Sequence, residues 1–235
     1  MYDLHIANKN YSSWSLRPWV LMRELDIPFR EHVHRFLDHG TYQAFRAFSP
    51  TGRVPCLHDG PTVVWDSLGI TEYLAERHPA VWPAEPQART FARCAAAEMH
   101  SAFGTLRDQC SMSCGLRIRL HELPDALKRD LDRLSTLWSE GLQRFGGPFL
   151  AGAGFTAVDA FFAPVAFRVQ TYSLELAPPA ADYVRRLLAL PAMREWYRAG
   201  LAETWREASH ETGIRQAGTW LQDLRALPLD RKSVV

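Results

Sequence analysis

An α/β domain followed by an all-α domain is the architecture this sequence predicts, and three observations predict it. Residues 1–79 alternate short apolar runs with helical periodicities in the order β-α-β-α-β-β-α, whose parallel first half requires a crossover helix. Pro79, Pro83 and Pro86 then punctuate residues 79–87, the composition of an inter-domain linker. From residue 88 to 235 the apolar residues recur at helical spacing and no convincing strand is found.

Taken in order, residues 2–6 read as a short strand through Leu4 and Ile6. Trp19, Val20, Met22 and Leu25 then recur at helical spacing until Asp26-Ile27-Pro28 ends the pattern. Residues 29–36 alternate as a second strand, residues 40–48 form an irregular helix or turn, and Ser49-Pro50-Thr51-Gly52 is a loop by composition. Two short strands, 55–58 and 62–65, flank Asp59-Gly60-Pro61, where Gly60 can take the positive φ of a hairpin turn. Asp66-Ser67 opens the next helix, which runs through Ile70 and Leu74 and ends before Pro79. Helical patterns then cover residues 87–114, 124–145, 156–171, 178–188 and 191–204, with Pro124, Pro178 and Pro191 where helix starts accept proline. The tail from Ser209 carries Trp220 and Leu221 in polar surroundings and either docks or frays.

Composition bounds the function. A chain of 235 residues, 47% hydrophobic and 23% charged, has the make-up of a globular protein with a sizeable core. Lys and Arg total 27 against 26 Asp and Glu, so no large field attracts nucleic acid or an anionic membrane. The start of the chain lacks the basic and apolar run of a signal peptide, and no stretch approaches membrane-spanning length. Four cysteines, Cys56, Cys94, Cys110 and Cys114, are too few and too irregular for a disulfide scaffold. A soluble cytoplasmic protein is the expectation.

The residues able to carry chemistry cluster first at Tyr11–Trp19. Ser12, Ser13 and Ser15 crowd the start of a helix, where orphan N–H donors and positive potential favour an anion or thiolate. Val54-Pro55 begins a strand, either as an ordinary trans edge or as a cis bond that aims the Val54 backbone outward to pair with an extended peptide. Asp66-Ser67 either caps its helix or holds the ammonium and carboxylate of an amino acid. Thr156 and Asp159 form a capping box with Asp in the place of Glu, which is a structural role. His32 and His34 share a strand face with His39 following, but no further ligand completes a zinc set, so they read as surface histidines. Cys110 and Cys114, four apart, read as buried thiols on one helix face. Arg107, Arg117 and Arg119 fall where the first helices of the second domain face a cleft, and one of them, or Arg168, is a candidate for binding an anionic co-substrate.

Four of these motifs, in this order and spacing, resemble those of a cytosolic glutathione transferase over nearly the whole chain. They are Ser12-Ser13-Trp14-Ser15-Leu16-Arg17, Ser49-Pro50-Thr51-Gly52-Arg53-Val54-Pro55, the run Trp65 to Leu74, and Gly154-Phe155-Thr156-Ala157-Val158-Asp159. The resemblance implies a thioredoxin-like first domain (1–79), a linker (80–87) and a helical-bundle domain (88–235) that contributes the electrophile pocket. It implies glutathione as co-substrate, no metal, and a homodimer. It also implies that Val54-Pro55 is the cis bond, that Val54 pairs with the cysteinyl backbone, that Asp66 and Ser67 hold the γ-glutamyl end, and that Arg53 meets the glycyl carboxylate. The serine run is most similar to the zeta-class pattern Ser-Ser-Cys-Ser-Trp-Arg, whose members include maleylacetoacetate isomerases. Aligned without gaps, Ser12 falls on that class's catalytic serine and Arg17 on its arginine. Trp14 replaces its cysteine, and Thr171 stands at its late carboxylate-binding arginine, with Arg168 about one turn earlier.

The function expected is therefore a Ser-type glutathione transferase. Ser12, with Ser13 second, donates to the sulfur and favours its thiolate, which attacks a small electrophile or isomerises one reversibly. Trp14, Arg107 and Arg168 are assigned to the electrophile pocket. No histidine or acid partner for a serine-hydrolase triad stands at recognisable spacing. The rival reading is a non-catalytic binding or interaction protein on the same fold.

Overall fold

The computed structural model describes residues 1–227. Its first part runs β1 (Tyr2–Ala7), α1 (Ser13–Glu24), β2 (Phe29–His34), α2 (Thr41–Phe45), β3 (Cys56–Asp59), β4 (Thr62–Trp65) and α3 (Ser67–Ala75). The strands form one sheet in the order β2-β1-β3-β4, with β1 parallel to β2 and the other pairs antiparallel. This is the predicted β-α-β-α-β-β-α order, with α1 as the crossover. Period-two alternation decides the two faces of β1. Leu4 and Ile6 are fully buried in the core with Leu16 and Val20 of α1, whereas His5 faces the other way, stacks on His32, His34 and Phe48 and meets the His58 ring at a tilt. Among the described residues no group of three or more ligating side chains converges for a metal ion. Gly60 takes the positive φ expected of the β3–β4 turn.

A 3-10 turn at Pro79–Val81 leads to α4 (Pro86–Ser101), capped by the Glu85 side chain, which accepts from the Gln87 and Ala88 N–H groups. Then follow α5 (Gly104–Gln109), β5 (Leu116–Leu120), α6 (Asp125–Phe145), α7 (Ala157–Tyr172), α8 (Pro178–Ala189), α9 (Pro191–Ala202), α10 (Ala208–Ala217) and β6 (Gly218–Asp223). Two expectations are corrected here. The helix predicted over 87–114 breaks at Phe103, which sits at a left-handed φ of 56° and is itself buried. Cys110 and Cys114 therefore lie beyond α5 and share no helix face. Both are nonetheless buried, and burial pushes the Cys110 thiol up to about 12. The second correction is a strand pair in the helical half: β5 and β6 form an antiparallel ribbon. Leu116-Arg117-Ile118-Arg119-Leu120 has the alternation of a strand with one buried face, and its partner comes from the tail, about a hundred residues on. Gly218 is required there, because a Cβ would stand 2.3 Å from the Arg119 carbonyl oxygen.

Helix α7 is the centre of the second half. It is buried on nearly all sides and packs against α1, α4 and α8. Its start is set by Asp159, which is fully buried. The carboxylate accepts from Thr156 N–H at 2.9 Å, Leu150 N–H at 3.1 Å and the Tyr183 hydroxyl at 2.7 Å. Burial raises its pKa to about 6, against the pull of those donors. Tyr183 in turn stands edge-on to Trp138, and Trp138 to Phe162.

The tail docks. Arg225, 7% exposed, places its guanidinium on Glu211 (2.5 and 3.1 Å) and Asp223 (2.7 Å), and the Tyr11 hydroxyl donates to Glu211 at 2.6 Å. These bonds fasten α10 and β6 to the β1–α1 loop. Two outcomes follow from these buried groups. Asp159→Ala strands two backbone donors and a tyrosine hydroxyl and should cost about 3 kcal/mol or more, while Tyr183→Phe costs about 1, measured by thermal or denaturant unfolding. Glu211→Gln weakens the hold on a buried guanidinium, so amide exchange over residues 208–223 should rise about tenfold or more, with exchange in α7 unchanged.

Candidate functional site

The β1–α1 loop is shaped by a tight turn in which the Asn8 carbonyl accepts from Tyr11 N–H (3.1 Å) and Ser12 N–H (2.8 Å). Glu203 from the helical half accepts the Lys9 and Asn10 N–H groups at 2.6 and 3.1 Å, and the Asn10 side chain accepts from Cys114 N–H. The loop is thus held by the helical half, and α1 starts at Ser13, whose N–H donates to the Tyr11 carbonyl at 2.9 Å. Ser12 is buried and its hydroxyl donates to Ser15 Oγ at 2.7 Å, which in turn accepts from Ala7 N–H. Ser13 is half-buried, and its oxygen accepts from Arg168 Nη2 at 3.4 Å. Tyr11 is turned away to Glu211, and burial raises its pKa.

Two adjoining cavities open beside this loop. The larger, about 780 Å³, is lined by Ser12, Ser13, Trp14, Phe36, Arg107 and Arg168 among others. The smaller, about 610 Å³, is lined by Trp14, Arg53, Val54, Pro55, Asp66 and Ser67 among others. Trp14, Arg53 and Val54 border both, so the two form one cleft with a tryptophan at its waist. Ser12, Ser13, Trp14, Arg107 and Arg168 line the larger part, and Arg53, Val54, Pro55, Asp66 and Ser67 the smaller. Within it Val54-Pro55 is a cis bond, and no hydrogen bond among the described residues uses the Val54 backbone. Asp66 does cap α3, its Oδ1 accepting from Leu68 N–H at 2.7 Å, while Oδ2 lies 3.7 Å from His100 Nε2. Capping and ligand binding are therefore compatible, each using its own oxygen.

Charge is the distinctive property of the cleft. Arg17 and Arg168 are buried and Arg107 is half-buried. All three direct their hydrogen bonds to neutral acceptors. Arg17 reaches Ser67 Oγ and the Met99 carbonyl, Arg107 the Met99 and His100 carbonyls, and Arg168 the Arg107 and Cys110 carbonyls besides Ser13. The Nε groups of Arg17 and Arg168 are buried without a partner. Burial, then the neighbouring guanidiniums, lowers Arg17 to about 9; burial lowers Arg168 to about 10. Both stay charged at neutral pH. Trp14 lies under two of these cations, 4.1 Å from the Arg17 guanidinium and 5.6 Å from that of Arg107.

Several sequence-based expectations are redrawn. Arg117 and Arg119 lie on β5 and line neither cavity; Arg117 donates to the Cys114 and Leu116 carbonyls and the Tyr197 hydroxyl. Thr171 is buried and donates to the Ser113 carbonyl, so the arginine that reaches the cleft from α7 is Arg168. Sequence reasoning missed Phe36, Tyr42, Met112 and His210, which also line the larger cavity. His210 comes from the tail, and its one local signal was the Glu207-x-x-His210 spacing at a helix start.

The comparisons with known proteins agree with this geometry. Residues 11–77 match the family profile described as glutathione S-transferase, N-terminal domain, and residues 118–199 match that of the C-terminal domain. The chain is 43% identical to the dichloromethane dehalogenase of Methylorubrum extorquens over 58 residues, which are 24% of this chain and 20% of that protein. It is 26% identical over 168 residues to a stringent starvation protein A homologue of Coxiella burnetii (71% of this chain, 77% of that one). It is 25% identical over 172 residues to a probable maleylacetoacetate isomerase of Vibrio cholerae (70% and 80%). A Burkholderia glutathione transferase homologue solved with bound glutathione superposes with a TM-score of 0.61 at 22% identity, covering 85% of this chain and 97% of that one. With both domain profiles matched in order, the chain belongs to the glutathione S-transferase family.

Proposed function

We propose that this protein binds glutathione across the cleft, holds its sulfur as a thiolate beside Ser13, and conjugates it to a small anionic electrophile in the larger cavity. One observation carries the reading: three guanidiniums surround the serine loop and give their hydrogen bonds to neutral acceptors. No carboxylate is hydrogen-bonded to these guanidiniums, although Asp66 and Asp108 act on Arg17 and Arg168 at longer range, and an anion at the helix start offsets more of the cost of burying them.

In this reading the γ-glutamyl ammonium meets the second Asp66 oxygen, its carboxylate meets Ser67 and the α3 N-terminus, and the cysteinyl backbone pairs with the free groups of Val54. Arg53, exposed at the border of both cavities, reaches the glycyl carboxylate. A free thiol with a pKa near about 8.5 is mostly protonated at neutral pH. A hydroxyl donor, the first turn of α1 and the Arg168 charge each favour its anion. The hydrogen bonds support Ser13 over Ser12 as that donor, reversing the order that ungapped alignment suggested. The Ser12 hydrogen is used on Ser15, while the Ser13 oxygen accepts from Arg168 and keeps its hydrogen for the sulfur. Arg107, bordering the larger cavity, is placed to meet a carboxylate on the electrophile.

Steady-state conjugation of 1-chloro-2,4-dinitrobenzene tests the assignment. Ser13→Ala should lower kcat/KM by about 10²-fold with little change in glutathione affinity, and Ser12→Ala by less. A larger loss in Ser12→Ala would return the role to Ser12. Wild-type protein that binds glutathione yet turns over no electrophile would favour the non-catalytic rival.

A further inference from the structure

We propose that His210, oriented by Glu207, is the acid that protonates the electrophile, so that the larger cavity is built for addition to conjugated carbonyl compounds. This rests on the transferase reading above and adds to it the class of electrophile and a second catalytic residue.

Four features of the tail point this way. His210 lies in the first turn of α10 and lines the same cavity as Ser13 and Arg168, although about two hundred residues separate it from Ser13. Its ring is stacked on Tyr11 at 4.8 Å and on Phe36 at 5.1 Å between centroids, so its plane is fixed. Its Nδ1 lies 2.6 Å from Glu207 Oε2, which leaves Nε2 for the cavity. Glu207 is 5% exposed and is itself held by the His210 N–H and the Ser209 hydroxyl. Burial pushes this carboxyl up, but those hydrogen bonds outweigh it and keep the carboxyl below its ordinary value.

A carboxylate on Nδ1 fixes the ring's orientation and leaves Nε2 as the nitrogen able to trade protons. Capping alone does not ask for this ring. The cap is made by the residue's backbone N–H, which any residue but proline supplies. The charged group on the ring is Glu207; Asp38, which accepts from Ala208 N–H, and His39 line a separate cavity with Glu207. Arg107, Asp108 and Arg168 line the larger cavity with His210, and Glu211 and Arg225 stand behind Tyr11.

The chemistry balances within the site. The thiolate forms an S–C bond at the β-carbon, and the C=C pair moves toward the carbonyl as an enolate. His210 gives its Nε2 proton to the α-carbon and is left neutral. The next glutathione thiol, on ionising, returns the proton. Aromatic substitution needs no such acid, because chloride leaves with the bonding pair.

That contrast is the test. The enone trans-4-phenyl-3-buten-2-one and 1-chloro-2,4-dinitrobenzene are each turned over with glutathione by wild type, His210→Gln, His210→Ala and Glu207→Gln. The expected result is a fall of about tenfold or more in the enone-to-aromatic ratio of kcat for His210→Gln. Glu207→Gln should move the ratio the same way, and added imidazole should restore part of the enone rate of His210→Ala. If both rates fall in proportion, or the ratio holds, the ring is structural and the proposal is overturned while the transferase reading stands. If wild type turns over neither compound, the transferase reading itself fails and takes this one with it.

Discussion

A carboxylate sealed inside the protein, Asp159, determines where helix α7 begins, and much of the cleft depends on that position. Its acceptors hold the Thr156 and Leu150 amides and the Tyr183 hydroxyl, which fixes both the start of the helix and its rotation against α8. Nine residues further on, Arg168 emerges on the side facing α1 and reaches the Ser13 hydroxyl. A helix set by one residue more or less would turn the guanidinium by about 100° and remove it from the site. The same helix supplies Phe161, whose ring lies 4.9 Å from the Arg17 guanidinium. Packing between α1 and α7 thus joins the two halves and gathers the charges in one step.

What the gathered charges share is the lack of a nearby carboxylate among their hydrogen-bond partners. Carbonyls and hydroxyls satisfy part of each guanidinium, and Asp66 and Asp108 offset the Arg17 and Arg168 charges only at longer range, which leaves room for a bound anion. Three glutamates of the region are engaged elsewhere, while Asp66 and Asp108 line the cleft. Glu203 holds the backbone of the β1–α1 loop, Glu211 pairs with Arg225, and Glu207 holds His210. Trp14, at the position of a cysteine in the zeta-class pattern, separates the two cavities and gives the cations an aromatic face.

The sequence was most informative where local rules act alone. Leu4 and Ile6 alternating with His5, proline at the starts of α8 and α9, and Thr156 three residues before Asp159 each report a local geometry, and each was realised. Eight of the predicted site residues, all of which line the cleft, stand in three short motifs that keep a family order, whereas Arg107 and Arg168 were read from their helical placement. What local pattern cannot express is long-range pairing. The Leu116–Leu120 strand alternates plainly, yet its partner Gly218–Asp223 lies in the tail, so the ribbon was missed. His210 was missed for the same reason, since its neighbours Tyr11 and Phe36 are far away in the chain. The break at Phe103 escaped notice because an apolar residue at helical spacing gives no sign of a left-handed backbone. Ser12 and Ser13 were ordered by alignment alone, in which the direction of a hydroxyl is invisible.

The central claim is that the cleft lowers the pKa of a bound thiol. It is tested most directly by titrating the thiolate absorbance of glutathione bound to wild type and to Arg168→Met, with folding verified by circular dichroism. The account predicts a midpoint at least about one unit below the value near 8.5 of a free thiol, moving back toward that value in the variant. A bound thiol that titrates at or above the free value in the wild type would contradict it.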